Sequence, residues 1–328
     1  MKKHILFIMN PIAGGGHDFK RIGRIISNIL LKDRNCEYEI RITSGKGDAT
    51  HIAREASNKD YDVIAAVGGD GTVNEVATGL IGSDVPLGIV PIGSGDGIAR
   101  GLGIPLALRG AIRTLYTGNV KEIDAGTIGN RNFFATTGFG FDAVVGKLFD
   151  EGSIRGPLPY FYHGIREFFN YKPKEYILRF NGKEYTKKAL IVAVANTKQF
   201  GNGAMIAPFA KPDDGLLDIC LILDVDAFNA IIHLPKLFTG QLSQSDYYEF
   251  YQTKEVEIVR PGPAPLHVDG EPIDGEQTIM VGVCPRALKV MLPLKPALNV
   301  QIARHIKEGT IIQSLESQIK TLRENLTH

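Results

Sequence analysis

The residues in this chain whose types and spacing could do chemistry are carboxylates set beside glycine turns. Asn10-Pro11-Ile12-Ala13-Gly14 follows one short apolar run, Gly68-Gly69-Asp70-Gly71-Thr72 a second, and Gly93-Ser94-Gly95-Asp96-Gly97 a third. A glycine turn leading from a strand into a helix offers backbone N–H groups and the positive end of a helix to phosphate oxygens. The missing Cβ lets the phosphate come close. One such turn says little, but three after successive strands point to a nucleotide phosphate. Two later acidic turns, Asp213-Asp214-Gly215 and Asp269-Gly270-Glu271, add carboxylates. Carboxylate and carbonyl oxygens suit Mg²⁺.

Competing chemistries lack their residues. A Walker A loop fails because Gly45-Lys46, Gly146-Lys147 and Gly182-Lys183 are not followed by Ser or Thr. The nucleophile elbow G-x-S-x-G fails because Ile92 stands where the first glycine before Ser94 should be. Cys36, Cys220 and Cys284 are odd in number and widely spaced. With no CxxC or HExxH, neither a disulfide framework nor a transition-metal site is indicated, and a reducing compartment fits best. Gly138-Phe139-Gly140-Phe141-Asp142-Ala143 has a GxGxxA pattern but lies outside the alternating part of the chain, so it reads as a backbone feature.

The elements that must position these turns follow from periodicity. Ile5–Met9, Tyr38–Thr43, Val63–Val67 and Leu87–Pro91 read as strands, most of them continuously apolar as in a sheet covered on both faces. Helical spacing links Phe19, Ile22, Ile25, Ile26, Ile29 and Leu30, and helices are also expected over Ala49–Ala56 and Val73–Leu80. This is a doubly wound parallel α/β sheet over residues 1–126, with its glycine turns on the edge where such sheets bind ligands. Residues 127–295 read as a mostly antiparallel β domain. Its strands are expected at Phe133–Thr137, Tyr176–Phe180, Ala189–Ala195, Leu217–Leu223, Glu255–Val259, Thr278–Val283 and Leu288–Leu292. Turns are expected at Asn181-Gly182, Asp214-Gly215, Asp269-Gly270 and Asp274-Gly275, and a helical insertion around Pro159–Asn170. Residues 296–328 form a third segment, in which Ile312, Leu315, Ile319, Leu322 and Leu326 predict an amphipathic helix. Packing on its own domain is the plainest role for it; a homodimer contact or a membrane-surface role are alternatives.

Composition bounds the rest. The 328 residues carry 37 Lys+Arg against 36 Asp+Glu, so no global field favours nucleic acid or an anionic bilayer. The apolar run Ile5–Met9 is too short for a signal peptide and no stretch is long enough for a membrane span. A cytoplasmic protein, at most peripheral to a membrane, is expected. Tyr160-Phe161-Tyr162, Phe168-Phe169 and Phe228–Phe238 could line an acyl pocket or rest on a bilayer edge, although core packing is their ordinary role.

Taken together, these motifs resemble the diacylglycerol kinase catalytic-domain family, which includes bacterial lipid kinases and sphingosine kinases. Val67-Gly68-Gly69-Asp70-Gly71-Thr72-Val73-Asn74-Glu75 looks like its GGDGT loop and Asn10-Pro11-Ile12-Ala13-Gly14 like its opening NPxxG. Thr43, before Asp48, sits like its adenine-side threonine, and Pro91-Ile92-Gly93-Ser94 is similar to its P-x-G-[TS] loop. Arg100-Gly101-Leu102-Gly103-Ile104-Pro105, Asp213–Asp218 and Val268-Asp269-Gly270-Glu271-Pro272 complete the order. The fold implied is an N-terminal nucleotide domain of the NAD kinase/diacylglycerol kinase type followed by a C-terminal β-sandwich.

The resemblance implies an ATP-dependent lipid kinase assisted by Mg²⁺, with diacylglycerol the first acceptor and a sphingoid base, ceramide or NAD as alternatives. The lipid would be met at a membrane surface. Asn10, Pro11, Gly14, Thr43, Gly68, Gly69, Asp70, Gly71, Thr72, Val73, Asn74 and Ser94 would hold ATP. Asp70 would sit near the metal–phosphate end, Glu271 would be the general base, and Asp269 belongs to the same catalytic turn. Asp214, with backbone oxygens of Lys211 and Leu216, would bind the second-domain Mg²⁺, and Asp124 would link that metal to the active site through water. Lys46 and Arg100 could meet phosphate charge, but solvated positions explain them equally well. The chain departs from the family at Asp96-Gly97, where bacterial members usually carry Asn-Asp, and Gly95 is closer to the G-S-G of sphingosine-type kinases. These departures put the acceptor in question.

Overall fold

A computed structural model describes residues 2–13, 19–31, 36–141 and 171–295. The first half is built on four parallel strands: β1 (Lys3–Met9), β2 (Cys36–Ile42), β3 (Val63–Gly68) and β4 (Leu87–Pro91), in the order β4-β3-β1-β2. β3 and β4 are buried at every residue, as their unbroken apolar runs require. The helices are α1 (Phe19–Leu30), α2 (Asp48–Ala56), α3 (Asp70–Leu80), the short α4 (Gly97–Gly101) and α5 (Leu108–Thr117). Helix α1 buries Ile22, Ile26 and Leu30, one turn apart, and α2 packs on α3 through Ala53 and Gly79. A Cβ at Gly79 would lie 2.6 Å from the Thr50 carbonyl oxygen, so glycine is what lets these two helices touch.

The second half is antiparallel. Its strands are β5 (Asn119–Ile128), β6 (Arg131–Phe133), β7 (Thr136–Gly140), β8 (Lys174–Phe180), β9 (Lys183–Ala195), β10 (Leu217–Leu223), β11 (Tyr248–Thr253), β12 (Glu255–Val259), β13 (Ala264–Val268), β14 (Glu271–Gly275) and β15 (Thr278–Leu292), with α6 (Ala227–Thr239) between β10 and β11. Alternate residues of β9 face two different cores. Val192 and Val194 meet Phe139, Ile219, Ile258 and Val281, while Ala193 and Ala195 meet Cys220, Ile206 and Leu242. Burial on both faces explains why this strand ends in seven consecutive apolar residues. The architecture is thus α/β followed by an antiparallel β-sandwich, as expected.

The two halves are joined by a ribbon. β5 and β15 pair antiparallel along most of their length, and β15 also adds to β4 in parallel at Val290. The two runs expected at Thr278–Val283 and Leu288–Leu292 are therefore one strand, interrupted by a bulge between Cys284 and Leu288 where Arg286 adopts φ 51°.

The strand expected over Phe133–Thr137 is instead two, broken at Phe134 and Ala135, because a side chain captures their backbone N–H groups (below). Asn181-Gly182 and Asp269-Gly270 are turns with two successive positive φ angles, the geometry that fits the twist of a two-residue hairpin. Asp274-Gly275 is not a turn. It ends β14 in register with β13, where Gly275 makes room for Leu266. β5, β11, β13 and β14 carry no clear periodic signal and are additions to the sequence reading, as is α5, although its Leu108, Ala111, Ile112 and Leu115 do recur at helical spacing. The expected insertion around Pro159–Asn170 and the C-terminal helix lie outside the described residues, as does Gly14.

Candidate active site

Helix α3 gathers the site. Each polar residue of its first turns serves a different loop. Asp70 opens the helix and accepts hydrogen bonds from the backbone N–H groups of Gly97 and Ile98 at 2.9 Å each, capping α4. The Thr72 hydroxyl accepts from the Asn10 side-chain amide at 3.2 Å, tying the end of β1 to the helix. Asn74 gives both amide hydrogens away, to the Asn132 carbonyl at 2.9 Å and to the Asp269 carboxylate at 2.8 Å. Glu75 accepts from the N–H groups of Gly47 and Ala49, fixing the loop before α2. Because residues of one helix project in different directions at 100° intervals, four neighbouring positions can reach four loops.

The glycine turns meet backbone to backbone. A Cβ on Gly93 would fall 2.7 Å from the Gly69 Cα, and one on Gly68 would fall 2.4 Å from the Thr72 side chain. Ser94 stands exposed beside them and Thr43 is buried at the end of β2, its N–H bonded to the Met9 carbonyl at 2.9 Å. The first N–H groups of α3 have no partner within the helix, so its N-terminus, at Gly69-Asp70-Gly71, is shaped to receive an anion.

Burial pushes the Asp70 carboxyl up to about 7, against the two N–H groups that favour its charge, with Asp96 and Asp269 adding repulsion. The pH effect follows in sign. A carboxyl that titrates near 7 folded and near 3.8 unfolded holds more protons in the folded state between those values. Stability should therefore rise as pH falls from 7 toward 4, with a contribution from Asp70 of up to about 1.4 kcal/mol per pH unit. Asp70→Asn should flatten the wild-type slope in urea unfolding over that range, while the share due to other buried carboxylates persists.

The departure at Asp96-Gly97 is structural. Asp96 is the N-cap of α4 in the left-handed conformation (φ 48°), which Asn and Asp tolerate best among non-glycine residues. Its carboxylate accepts from Gly93 N–H at 2.9 Å, a bond an asparagine carbonyl could equally accept. Gly97 is needed for space: a Cβ there would lie 2.5 Å from the Phe200 carbonyl oxygen. Gly95 lies against the same segment, its carbonyl accepting from Asn202 N–H at 3.2 Å, and a Cβ there would only touch the Asp70 carboxylate, at 3.4 Å. Restoring the carboxylate of the usual pattern with Gly97→Asp should cost about 1–3 kcal/mol by overpacking, read in urea unfolding, and Gly97→Ala nearly as much.

The β13–β14 hairpin meets α3 at Asn74. Asp269, at its tip, is buried with four donors on its carboxylate: Asn74 at 2.8 Å, Phe134 N–H at 2.9 Å, Ala135 N–H at 2.8 Å and Thr136 N–H at 3.0 Å. Those bonds break the β6–β7 strand and pin the hairpin to both halves of the protein. Burial raises the Asp269 carboxyl above its usual range, with the four donors opposing. Two residues on, Glu271 is partly exposed and ion-pairs with Lys46, which sits on the loop that Glu75 holds. His267, buried beneath, accepts the Gly270 N–H at 3.3 Å and stands edge-on to Phe200.

The remaining candidates gather around Asp124. Asp124 is fully buried in β5, and its carboxylate accepts from Gly215 N–H at 2.7 Å and Arg286 N–H at 2.8 Å. It thereby shapes the loop that carries Lys211, Asp214 and Leu216, where Asp214 is exposed and accepts from Leu216 N–H at 3.1 Å. Asp218 nearby keeps one carboxylate oxygen buried without a partner and is pushed up to about 6 by burial and by Asp214. Among the described residues no group of three or more His, Cys, Asp or Glu side chains converges as a ligand set. A cation at this loop would therefore rest on Asp214 and backbone carbonyls. The orphaned Asp218 oxygen and the hard donors fit Mg²⁺ in kind.

The structure brings Asn10, Thr72, Asp70, Asn74, Asp269 and Glu271 around α3, and the Asn196 amide, donating to the Asp124 and Phe134 carbonyls, joins the Asp124–Asp214 loop to the strand break that Asp269 holds. Glu75 and Asp96 are structural members of the site that the motifs did not assign, although both lie inside quoted motif segments. Among the described residues no helix is long and apolar enough to cross a membrane.

Known proteins resemble this chain over most of its length. Residues 4–128 match the diacylglycerol kinase catalytic domain, and residues 135–292 the YegS C-terminal NAD kinase beta sandwich-like domain. A Yersinia enterocolitica protein named "Probable lipid kinase YegS-like" is 30% identical over 297 residues, spanning 88% of this chain and 97% of that one. A Citrobacter koseri protein of the same name is 31% identical over 273 residues, spanning 80% and 89%. The crystal structure of a candidate diacylglycerol kinase from Bacillus anthracis str. Sterne superposes with a TM-score of 0.73 at 25% identity, covering 89% of this chain and 98% of that one. The chain belongs to the diacylglycerol kinase catalytic-domain family, among its YegS-like lipid kinases.

Proposed function

We propose that this protein transfers the γ-phosphate of ATP to the hydroxyl of a membrane lipid, with diacylglycerol the leading acceptor and phosphatidic acid the product. What supports the reading is that Asn74, on the helix the GGDGT turn opens, bonds Asp269 two residues before Glu271, and that Glu271 pairs with Lys46 on the loop Glu75 holds. In this reading Asn10, Pro11, Thr43, Gly68–Asn74 and Ser94 hold the nucleotide, and the N-terminus of α3 faces its phosphates. The acceptor hydroxyl oxygen attacks the γ-phosphorus, the bond to the bridging oxygen breaks, ADP leaves, and Glu271 takes the hydroxyl proton.

Mg²⁺ would neutralise phosphate charge when bound. Asp214 with backbone oxygens of the Lys211–Leu216 loop would hold such an ion in the second half, and Asp124 keeps that loop in shape. The names of the curated relatives support a lipid as acceptor, and the balanced net charge leaves any membrane contact peripheral and local.

A transfer assay with radiolabelled ATP tests this, offering diacylglycerol, monoacylglycerol, sphingosine, ceramide and NAD in parallel, the lipids in mixed micelles. Labelled phosphatidic acid is the expected product. Label in sphingosine or ceramide alone would move the acceptor, and label in NAD alone would overturn the lipid reading.

A further inference from the structure

Lys46 joins two parts of the cleft that sit 225 residues apart in sequence. Its loop is rigid behind and free in front. Behind, the Gly47 and Ala49 N–H groups are held by Glu75, and Ser44 gives its N–H and hydroxyl to Asp48 at 2.7 and 2.9 Å. In front, a Cβ on Gly45 or Gly47 would meet open space, and the Lys46 side chain is 72% exposed. Packing does not hold its ammonium; the Glu271 carboxylate does. Glu271 itself stands on the hairpin that the four Asp269 bonds anchor, so in this pair the base is fixed and the cation is mobile.

The anchor of the Lys46 loop also sets its distance from the phosphate end. Glu75 follows Asp70 by five positions on α3, about 7–8 Å along the axis. A four-carbon stem starting from that loop can swing between the hairpin and the glycine turns. An exposed carboxylate–ammonium pair is worth roughly 0–1 kcal/mol, whereas a terminal phosphate carries more charge and more acceptor oxygens.

We propose that Lys46 is a positioning residue serving two anions in turn, the Glu271 carboxylate and the terminal phosphate of the nucleotide, so that nucleotide binding takes the cation away from the base. This rests on the assignment of the glycine turns to nucleotide and of Glu271 to the acceptor proton. Its consequence is an order of events. While the ammonium sits on Glu271 Oε1 one oxygen of the base is occupied, so the whole carboxylate is open to the acceptor only when a phosphate has drawn the cation away.

The competition is measurable without turnover. Calorimetric titration with a non-hydrolysable ATP analogue and Mg²⁺ should show Glu271→Gln binding roughly 2–5-fold more tightly than wild type, because the rival anion is gone. Lys46→Ala should bind about 10-fold more weakly, and Lys46→Arg should recover most of that loss. In the Lys46→Ala background, adding Glu271→Gln should change nothing. Both side chains are solvent-exposed enough for the variants to keep their fold, which unchanged melting temperatures will show. The proposal is overturned if the gain from Glu271→Gln persists without Lys46, or if neither single change moves the affinity. Absence of binding in the wild type would instead overturn the nucleotide assignment on which it stands.

Discussion

Asp269→Ala is expected to destabilise the protein by about 3–5 kcal/mol, the range for removing one partner from a buried charged network. The loss comes from what is left behind. Three backbone N–H groups, at Phe134, Ala135 and Thr136, and the Asn74 amide would lose their acceptor in a buried place. Asp269→Asn should be less severe but still costly. Its single carbonyl can satisfy Ala135 and Thr136, while its amide hydrogens would confront the Phe134 N–H and the Asn74 amide. Urea unfolding monitored by circular dichroism is the measurement, with a shift in midpoint at unchanged slope as the expected form. A loss below about 1 kcal/mol would mean that the hairpin is held by something other than this carboxylate. Activity should fall with stability in both variants, since the hairpin that presents Glu271 loses its anchor.

Glu271→Gln should separate the two properties. The expected result is a fall in kcat of about 10²–10⁴-fold, the contribution of a general base, at a stability within roughly 0.5 kcal/mol of wild type, as for exposed positions. Nucleotide affinity should not fall. A kcat within tenfold of wild type would remove Glu271 from proton transfer and leave transfer to positioning and charge alone. Because Gln keeps the volume and one acceptor oxygen, a large loss cannot be assigned to a collapsed hairpin.

How much of this was legible in the sequence depends on which forces set each feature. The first-half strands are buried on both faces by their own helices, so Ile5–Met9, Val63–Val67 and Leu87–Pro91 announce themselves as apolar runs. β11, β13 and β14 do not. Tyr248–Thr253 and Glu271–Gly275 are half-buried with mixed polarity and owe their pairing to neighbours fixed elsewhere in the chain. Asp70 and Glu271 could be named from motif order, since local turns place them. The clasp of Asp269 on Phe134, Ala135 and Thr136 could not, because its partners lie more than a hundred residues away and are backbone atoms that no residue type marks. Lys46 was visible as a loop cation, yet its pairing with Glu271 is a property of tertiary structure alone. The Asp96-Gly97 departure shows the reverse case. Sequence flagged it as a question about the acceptor, and packing against Phe200 supplies a steric reason that motif comparison does not contain.

The ribbon of β5 and β15 sets the mechanics of the cleft. Two halves joined by a loop can swing like a door, but two hydrogen-bonded strands that run from one half into the other resist that motion. Change in the angle between the halves must be taken up as torsion, and torsion concentrates where the ladder is interrupted, at the bulge between Cys284 and Leu288. Asp124 grips that point through the Arg286 N–H and, with its other oxygen, the Gly215 N–H of the loop bearing Asp214. The joint and the acidic loop therefore share one bolt. Load placed on the loop reaches the interrupted part of the shaft through Asp124, by its carboxylate and by its N–H, which holds the Pro212 carbonyl.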